Sequence, residues 1–239
     1  METQKILLVL GAGPNIGQNL AKRFKEAGYR VVLVSRSVAA NEITPDGTMT
    51  LRADLKDSSS VTALFDTIKA KIGGPPTVVV YNAAALTVPK DPANIFTVPV
   101  ESLEDDMAIM NTSAFIAAGQ AVEGFKASRS NAPKAFIYTG NILAAVAPPV
   151  PRLATLGSGK SAASYWIGAA SGLFKSEGYK FYFADERTAD GKSLSLSDLS
   201  GPGAAEFYLQ LVEEESEIPW YATFVSGKGY VHFPDSTRK

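Results

Sequence analysis

The chain predicts a doubly wound α/β domain, a mostly parallel sheet of about seven strands with helices on both faces. Short β-rich apolar runs alternate with longer stretches of helical periodicity, the order that βαβ crossovers need. A glycine-rich turn, GAGPNIG at 11–17, joins the first apolar run to the first amphipathic stretch. At 239 residues the chain is long enough for one well-buried domain and short for two, and no repeat or low-complexity linker divides it.

Each element has its own signal. KILLVL at 5–10 is a continuous apolar run, suited to a strand buried on both faces. Ile16, Leu20 and Phe24, spaced by four, give the next helix one apolar stripe. VVLVS at 31–35 supplies a second strand, TMTLRA at 48–53 a third and TVVVY at 77–81 a fourth. Between the last two, Val61, Leu64, Phe65 and Ile68 mark a helix that Gly73, Gly74 and two prolines stop. A longer helix is expected from about Glu101 to Lys126, with Leu103, Met107, Met110 and Ala114 on one face. AFIYT at 135–139 is the fifth strand. A loop carrying Pro148, Pro149 and Pro151 follows, and then a helix from about Leu156 to Phe174. YKFYFA at 179–184 alternates like a sixth strand. Asp185 to Gly203 is polar and reads as loop, a helix covers about Ala204–Glu214, and a last strand is placed near Tyr230–Phe233.

Composition removes several chemistries. There is no cysteine, so disulfides, thiolate nucleophiles and cysteine-bound metals are excluded. The single histidine, His232, leaves no multi-histidine metal site, and no metal is expected. Strand alternation in YVHF accounts for His232 without catalysis. The net charge of −1 and the lack of a basic block argue against nucleic-acid and membrane-surface partners. No apolar run reaches the roughly 20 residues of a spanning helix. The N-terminal run lacks a basic flank, so it reads as a strand and a cytoplasmic protein is expected. The acidic run Glu213–Glu215 is expected to be a solvated helix end.

A glycine turn after a buried strand and before a helix lets a phosphate approach free N–H groups at the positive end of the helix dipole. This points to a Rossmann-type dinucleotide site. The pattern resembles the short-chain dehydrogenase/reductase superfamily across nearly the whole chain, as a divergent fungal-type branch. Gly11 and Gly17 match the outer glycines of its G-x₃-G-x-G turn. Asn15 replaces the middle one, a residue tolerant of the left-handed region. The resemblance makes Gly13, Ile16 and the rest of the turn cofactor contacts. It also assigns Asp54, with Leu55, to the adenine, YNAA (Asn82, Ala83, Ala84) to the wall of the site, and Asn111 to the family's mid-helix asparagine. The second strand ends at Ser35-Arg36-Ser37 with no acid before Glu42. Arg36 can grip a ribose 2′-phosphate with several donors, which selects NADP(H).

Standard members carry a tyrosine four residues before a lysine, one helical turn apart. Here Lys160 matches the lysine, which holds the nicotinamide ribose, but the tyrosine position is Leu156. Asn141, in FIYTGN, stands where the carbonyl-polarising serine belongs, and the proline–glycine pair after the sixth strand is replaced by FADER. Asn111, Asn141, Lys160 and Asp185 are the candidate catalytic residues, with Asp185, Tyr165, a water or the substrate itself as alternative proton sources. Asp185, Glu186 and Arg187 also read as a solvated ion-pair loop, and Tyr138, Tyr165 and Trp166 as packing residues.

The expected function is an oxidoreductase acting on an activated carbonyl or imine-type small molecule. The alternative is an NADP(H)-binding protein without redox turnover: a sensor, a scaffold or a non-redox cyclase or isomerase. Residues 1–239 are read as one domain, with the substrate region in loops 84–99, 142–155 and 185–203. The resemblance implies a homodimer or homotetramer. Ala162, Ala163, Gly168, Ala169, Ala170 and Gly172 would suit close helix–helix contact.

Overall fold

The computed structural model describes residues 5–37, 41–145, 150–214 and 217–234. Pro148, Pro149 and Glu215 lie outside them. Seven parallel strands form the centre of the sheet: β1 (Ile6–Leu10), β2 (Arg30–Ser35), β4 (Met49–Arg52), β5 (Val78–Tyr81), β6 (Lys134–Thr139), β7 (Tyr179–Glu186) and β8 (Tyr221–Val225). Two antiparallel two-residue strands, β3 (Glu42–Ile43) and β9 (Gly229–Tyr230), close its edges. The order is β3-β4-β2-β1-β5-β6-β7-β8-β9. Direction of travel reverses between β1 and β5, and the crevice at the C-terminal ends of those two strands is where such sheets bind ligands.

Helices cover both faces. On one side, α1 (Ile16–Glu26) and α6 (Gly201–Glu213) bury Leu20, Phe24, Phe207 and Leu211 against Leu7, Val9, Val80 and Ile137. On the other, α2 (Ser60–Ile72), α4 (Ser113–Ala127) and α5 (Ala154–Leu173) bury Leu64, Ala117, Phe125 and Ile167 against Leu8, Val79, Phe136 and Phe181. Central strands buried on both faces explain why β1 reads as an unbroken apolar run rather than an alternating one.

The structure corrects several expectations. The sheet has nine strands rather than about seven, and β8, in the late YATFV segment, was not anticipated. The last strand is Gly229–Tyr230, and His232 is exposed outside any strand. β7 runs on through Asp185 and Glu186, which therefore do not belong to a loop, and α6 begins three residues before the expected Ala204. The long helix from Val100 is interrupted: α3 (Val100–Met107) passes through a π turn at Ala108–Thr112 into α4. Leu103 is exposed, so the face expected to carry it with Met110 is not uniformly buried.

The π turn sends the Ser113 N–H back to the Ala108 carbonyl. Two phenols meet the neighbouring carbonyls: Tyr81 Oη donates to Ile109 at 2.5 Å and Tyr138 Oη to Met110 at 2.8 Å. These rings belong to a row crossing the sheet in register, Tyr81, Tyr138, Phe183 and Tyr221, one from each of β5 to β8. Successive centroids are 5.6, 5.6 and 5.1 Å apart and the rings lie nearly parallel. The π turn thus sits fixed on the sheet beside α5, and its Met110 packs where Gly159 leaves room, with an added Cβ only 2.7 Å from the methionine Cε.

Candidate functional site

The glycine turn is built by two close approaches. Gly11 has φ +89°, and a Cβ there would lie 2.5 Å from the Ala83 nitrogen. A Cβ on Gly17 would lie 2.6 Å from the Ala12 Cα, so the turn folds tightly onto the buried start of α1 beside Ile16. At Gly13 the position of a Cβ opens onto free space. Asn15 does not take the left-handed conformation its residue type allowed: its φ is −83°. Its side chain makes no capping bond into α1 and instead donates to the Leu199 carbonyl at 2.9 Å, just before α6. Asn82 Nδ2 donates to the Gly11 carbonyl at 2.9 Å, tying the end of β5 to the turn. Ala83 packs beneath Gly11, and Ala84 is exposed.

Arg36 is exposed at the end of β2. Beside it, a cavity of about 250 Å³ is lined by Ala12, Pro14, Gln18, Leu33, Ser35, Ser37 and Thr50. Asp54 is exposed beyond β4, and its Oδ1 accepts from the Lys56 N–H at 3.1 Å. Leu55 is buried, and its carbonyl takes the Ser113 hydroxyl at 2.6 Å.

The other half of the site lies at the C-terminal ends of β6 and β7 and at the start of β8. Lys160, 3% exposed on α5, donates to the Thr139 carbonyl at 2.6 Å and stands 4.5 Å over the Tyr138 ring. Burial pulls its ammonium down to about 7, against the opposing charge of Asp185. Asp185 is 0% exposed. Its Oδ2 accepts from Arg187 Nε at 2.8 Å, Arg187 Nη2 at 2.5 Å and Tyr221 Oη at 3.0 Å, while Oδ1 is buried without a partner. Burial wins at Asp185, holding its carboxyl above the ordinary value although Arg187, Tyr221 and Lys160 pull it down. The expectation of a solvated cluster at Asp185, Glu186 and Arg187 is therefore overturned: all three are buried. Glu186 accepts from the Ser200 N–H at 3.1 Å, and desolvation raises its carboxyl to about 6.

The remaining candidates divide. Asn141 lies next to this cluster, its backbone carbonyl accepting from Tyr221 Oη at 3.3 Å and its side-chain oxygen from the Leu143 N–H at 3.2 Å. Asn111, in the π turn, accepts from Trp166 Nε1 at 3.0 Å. Tyr165 is 77% exposed and is not a packing residue. Leu156 is half-buried on α5, one turn before Lys160. Tyr221 and Tyr208 were not anticipated. Tyr208 Oη donates to Thr139 Oγ1 at 3.0 Å from the opposite face of the sheet. The signal for Tyr221 lay in the unassigned PWYATF run, whose register puts it beside Phe183. Among the described residues no group of three metal-ligating side chains occurs, and no helix is long and apolar enough to cross a membrane.

Comparison with known proteins agrees with this architecture. Residues 5–133 match the short chain dehydrogenase family model. The chain is 39% identical over 246 aligned residues to the short chain dehydrogenase/reductase dmxR12 of Cryptosporiopsis sp., covering 97% of this chain and 96% of that protein. The NADPH-dependent 3-quinuclidinone reductase from Rhodotorula rubra superposes with a TM-score of 0.74 at 18% identity, covering 95% of this chain and 92% of that one. A Brucella ovis oxidoreductase of the same family, solved with a partially ordered NAD, superposes at 0.71 and 18% identity, over 93% and 99% of the two chains. A family match across more than half the chain and a relative sharing nearly its full length place this protein in the short-chain dehydrogenase/reductase family.

Proposed function

We propose that the chain is an NADP(H)-binding reductase acting on an activated carbonyl or imine-type small molecule, with a proton source other than the family's usual tyrosine. The observation that carries this reading is the open glycine turn before α1, with Lys160 bonded at the end of β6 and Asp185 buried near the end of β7. The residues present fit the cofactor. The α1 N-terminus has no side-chain cap, Gly13 leaves open room over it, and Arg36 is exposed beside a cavity of about 250 Å³. Gly11, Gly13, Asn15, Ile16 and Gly17 would hold the pyrophosphate, and Asn82, Ala83 and Ala84 the adenosine-side ribose. Asp54 and Leu55 would flank the adenine, Arg36 would meet the 2′-phosphate, and Lys160 the nicotinamide ribose. The dinucleotide would supply a hydride. Leu156 has no proton to give, so a substrate already polarised toward hydride acceptance is favoured. The loops at 84–99, 142–155 and 185–203 would form its walls.

One observation favours cofactor binding without redox turnover: the phenols near the crevice are already engaged as donors, Tyr81 and Tyr138 to the π turn, Tyr208 to Thr139 and Tyr221 to Asp185. Tryptophan fluorescence titration with NADPH and NADH, followed by NADPH-dependent reduction of phenanthrenequinone, separates the two readings. Arg36→Asp is expected to weaken NADPH far more than NADH, since it replaces a charge-assisted pair with repulsion. Equal affinity of the wild type for both cofactors refutes the role of Arg36.

A further inference from the structure

We propose that Asn15 is a positioning residue for the substrate wall: its backbone belongs to the glycine turn, while its side-chain amide ties the 187–200 segment to that turn. The inference rests on the reading above, in which this segment is one wall of the substrate site. Standard members carry glycine where this turn carries Asn15, and a side chain there needs both room and a partner. The side chain does not serve the helix, since it makes no capping bond into α1. Nor does the backbone call for asparagine, because any residue adopts its φ of −83°.

Room and partner both come from the start of α6. Asn15 Nδ2 donates to the Leu199 carbonyl at 2.9 Å. Gly201, buried two residues later, is where the amide fits: a Cβ there would lie 2.3 Å from Asn15 Oδ1 and 2.6 Å from Asn19 Nδ2. Asn19 in turn donates to the Asn15 carbonyl at 2.9 Å, so two amides at the start of α1 pack on one glycine of α6. Beyond this point the two helices stay together, with Leu20, Phe24 and Phe207 in one core and Arg23 Nε on Glu206 at 2.5 Å. The joint is therefore made between two fixed elements.

The 187–200 segment is anchored at both ends. It leaves β7 at the C-terminal edge of the sheet and returns to α6 beside the glycine turn, and β7 stands three places from β1 in the strand order. The segment therefore spans the edge where the crevice opens. At its first end Arg187 Nη1 donates to the Gly191 carbonyl at 3.0 Å. At its second, the Ser200 N–H donates to Glu186 at 3.1 Å and the Leu199 carbonyl takes the Asn15 amide. Between them Ser195 donates to Asp198 at 2.7 Å, a bond inside the segment, and Leu196 is 84% exposed. A middle so exposed leaves the position of the segment to its ends. Glu186 belongs to the strand the segment leaves, whereas Asn15 belongs to the cofactor turn, so its bond fixes the wall relative to the dinucleotide.

The test is amide hydrogen exchange by mass spectrometry on the full chain, comparing Asn15→Ala and Gly201→Ala with the wild type. Alanine at 15 removes the donor without freeing the backbone, and alanine at 201 displaces the amide from the other side. Exchange in peptides covering 199–203 is expected to rise about two- to fivefold in each variant. That is the lower part of what one intramolecular hydrogen bond contributes, because Asn15 is exposed to water. The double variant is expected to exceed the larger single effect little, since both changes break one bond. At saturating NADPH, the KM for phenanthrenequinone is expected to rise by a similar factor, more than kcat falls and more than the NADPH Kd rises. Unchanged exchange in both variants, or full additivity in the double variant, overturns the joint. An unchanged KM overturns the positioning role even where exchange rises, and an NADPH Kd that rises more than KM assigns the amide to the cofactor instead. A wild type that neither binds NADPH nor reduces the quinone overturns the function proposed above, and the exchange measurement still decides the joint.

Discussion

Tyr138→Phe isolates the contribution of a single hydrogen bond to the placement of the π turn. The ring is fully buried and stacked between Tyr81 and Phe183, and phenylalanine preserves that packing. What is lost is the 2.8 Å bond from the phenol to the Met110 carbonyl, in a place water does not reach. Removing one partner of a buried pair costs the desolvation of the group left behind, about 1–3 kcal/mol. For a domain of this size each kcal/mol lowers the thermal midpoint by about 2–4 °C. Urea unfolding followed by circular dichroism, with a thermal melt in parallel, measures both. Tyr81 and Tyr138 touch, so adding Tyr81→Phe should give a loss that departs from the sum of the two. A Tyr138→Phe protein whose stability matches the wild type within about 0.5 kcal/mol refutes the reasoning.

Two further perturbations probe the turn and position 156. Gly11→Ala meets both a left-handed φ and the Ala83 backbone, and should lose more than about 1–2 kcal/mol in a urea melt. Gly13→Ala, with open space and no positive φ, should keep its stability while weakening NADPH in fluorescence titration. Equal effects of the two on stability would contradict the geometry of the turn. Leu156→Tyr places a phenol one helical turn before Lys160 and should raise NADPH-dependent reduction of simple ketones, measured by loss of absorbance of the reduced cofactor; no gain would mean that the half-buried position does not face the crevice.

Much of the fold was legible because the central strands are buried on both faces, which leaves uninterrupted valine and leucine runs at 5–10, 31–35 and 77–81. The same rule hid other elements. β7 ends in Asp185 and Glu186, and two acids in a row read as loop; only the tertiary pairing with Arg187, Tyr221 and the Ser200 N–H makes their burial tolerable. β8 follows a proline and a tryptophan and is five residues long, too brief for a period to declare itself. β3 and β9 carry two residues each, which no pattern can mark. The π turn is likewise invisible along the chain, since its support comes from phenols 28 residues away on β5 and β6. At the site, Gly11 and Gly17 could be read from the turn, but the partners of Asn15 and Asp185 come from segments 184 and 36 residues distant.

The two short outer strands also govern what this sheet can do in company. An open β-edge offers a row of free N–H and C=O groups to any passing strand, and long flat edges invite stacking into fibres. Here the seven parallel strands are terminated on each side by a two-residue antiparallel piece, with the acidic Glu42 on one rim and Gly229 at φ +74° on the other. A strand arriving from another molecule would find a ladder of two rungs and then a turn. Extension of the sheet from copy to copy is thereby starved of length, and contact between folded copies is left to the helical faces and loops.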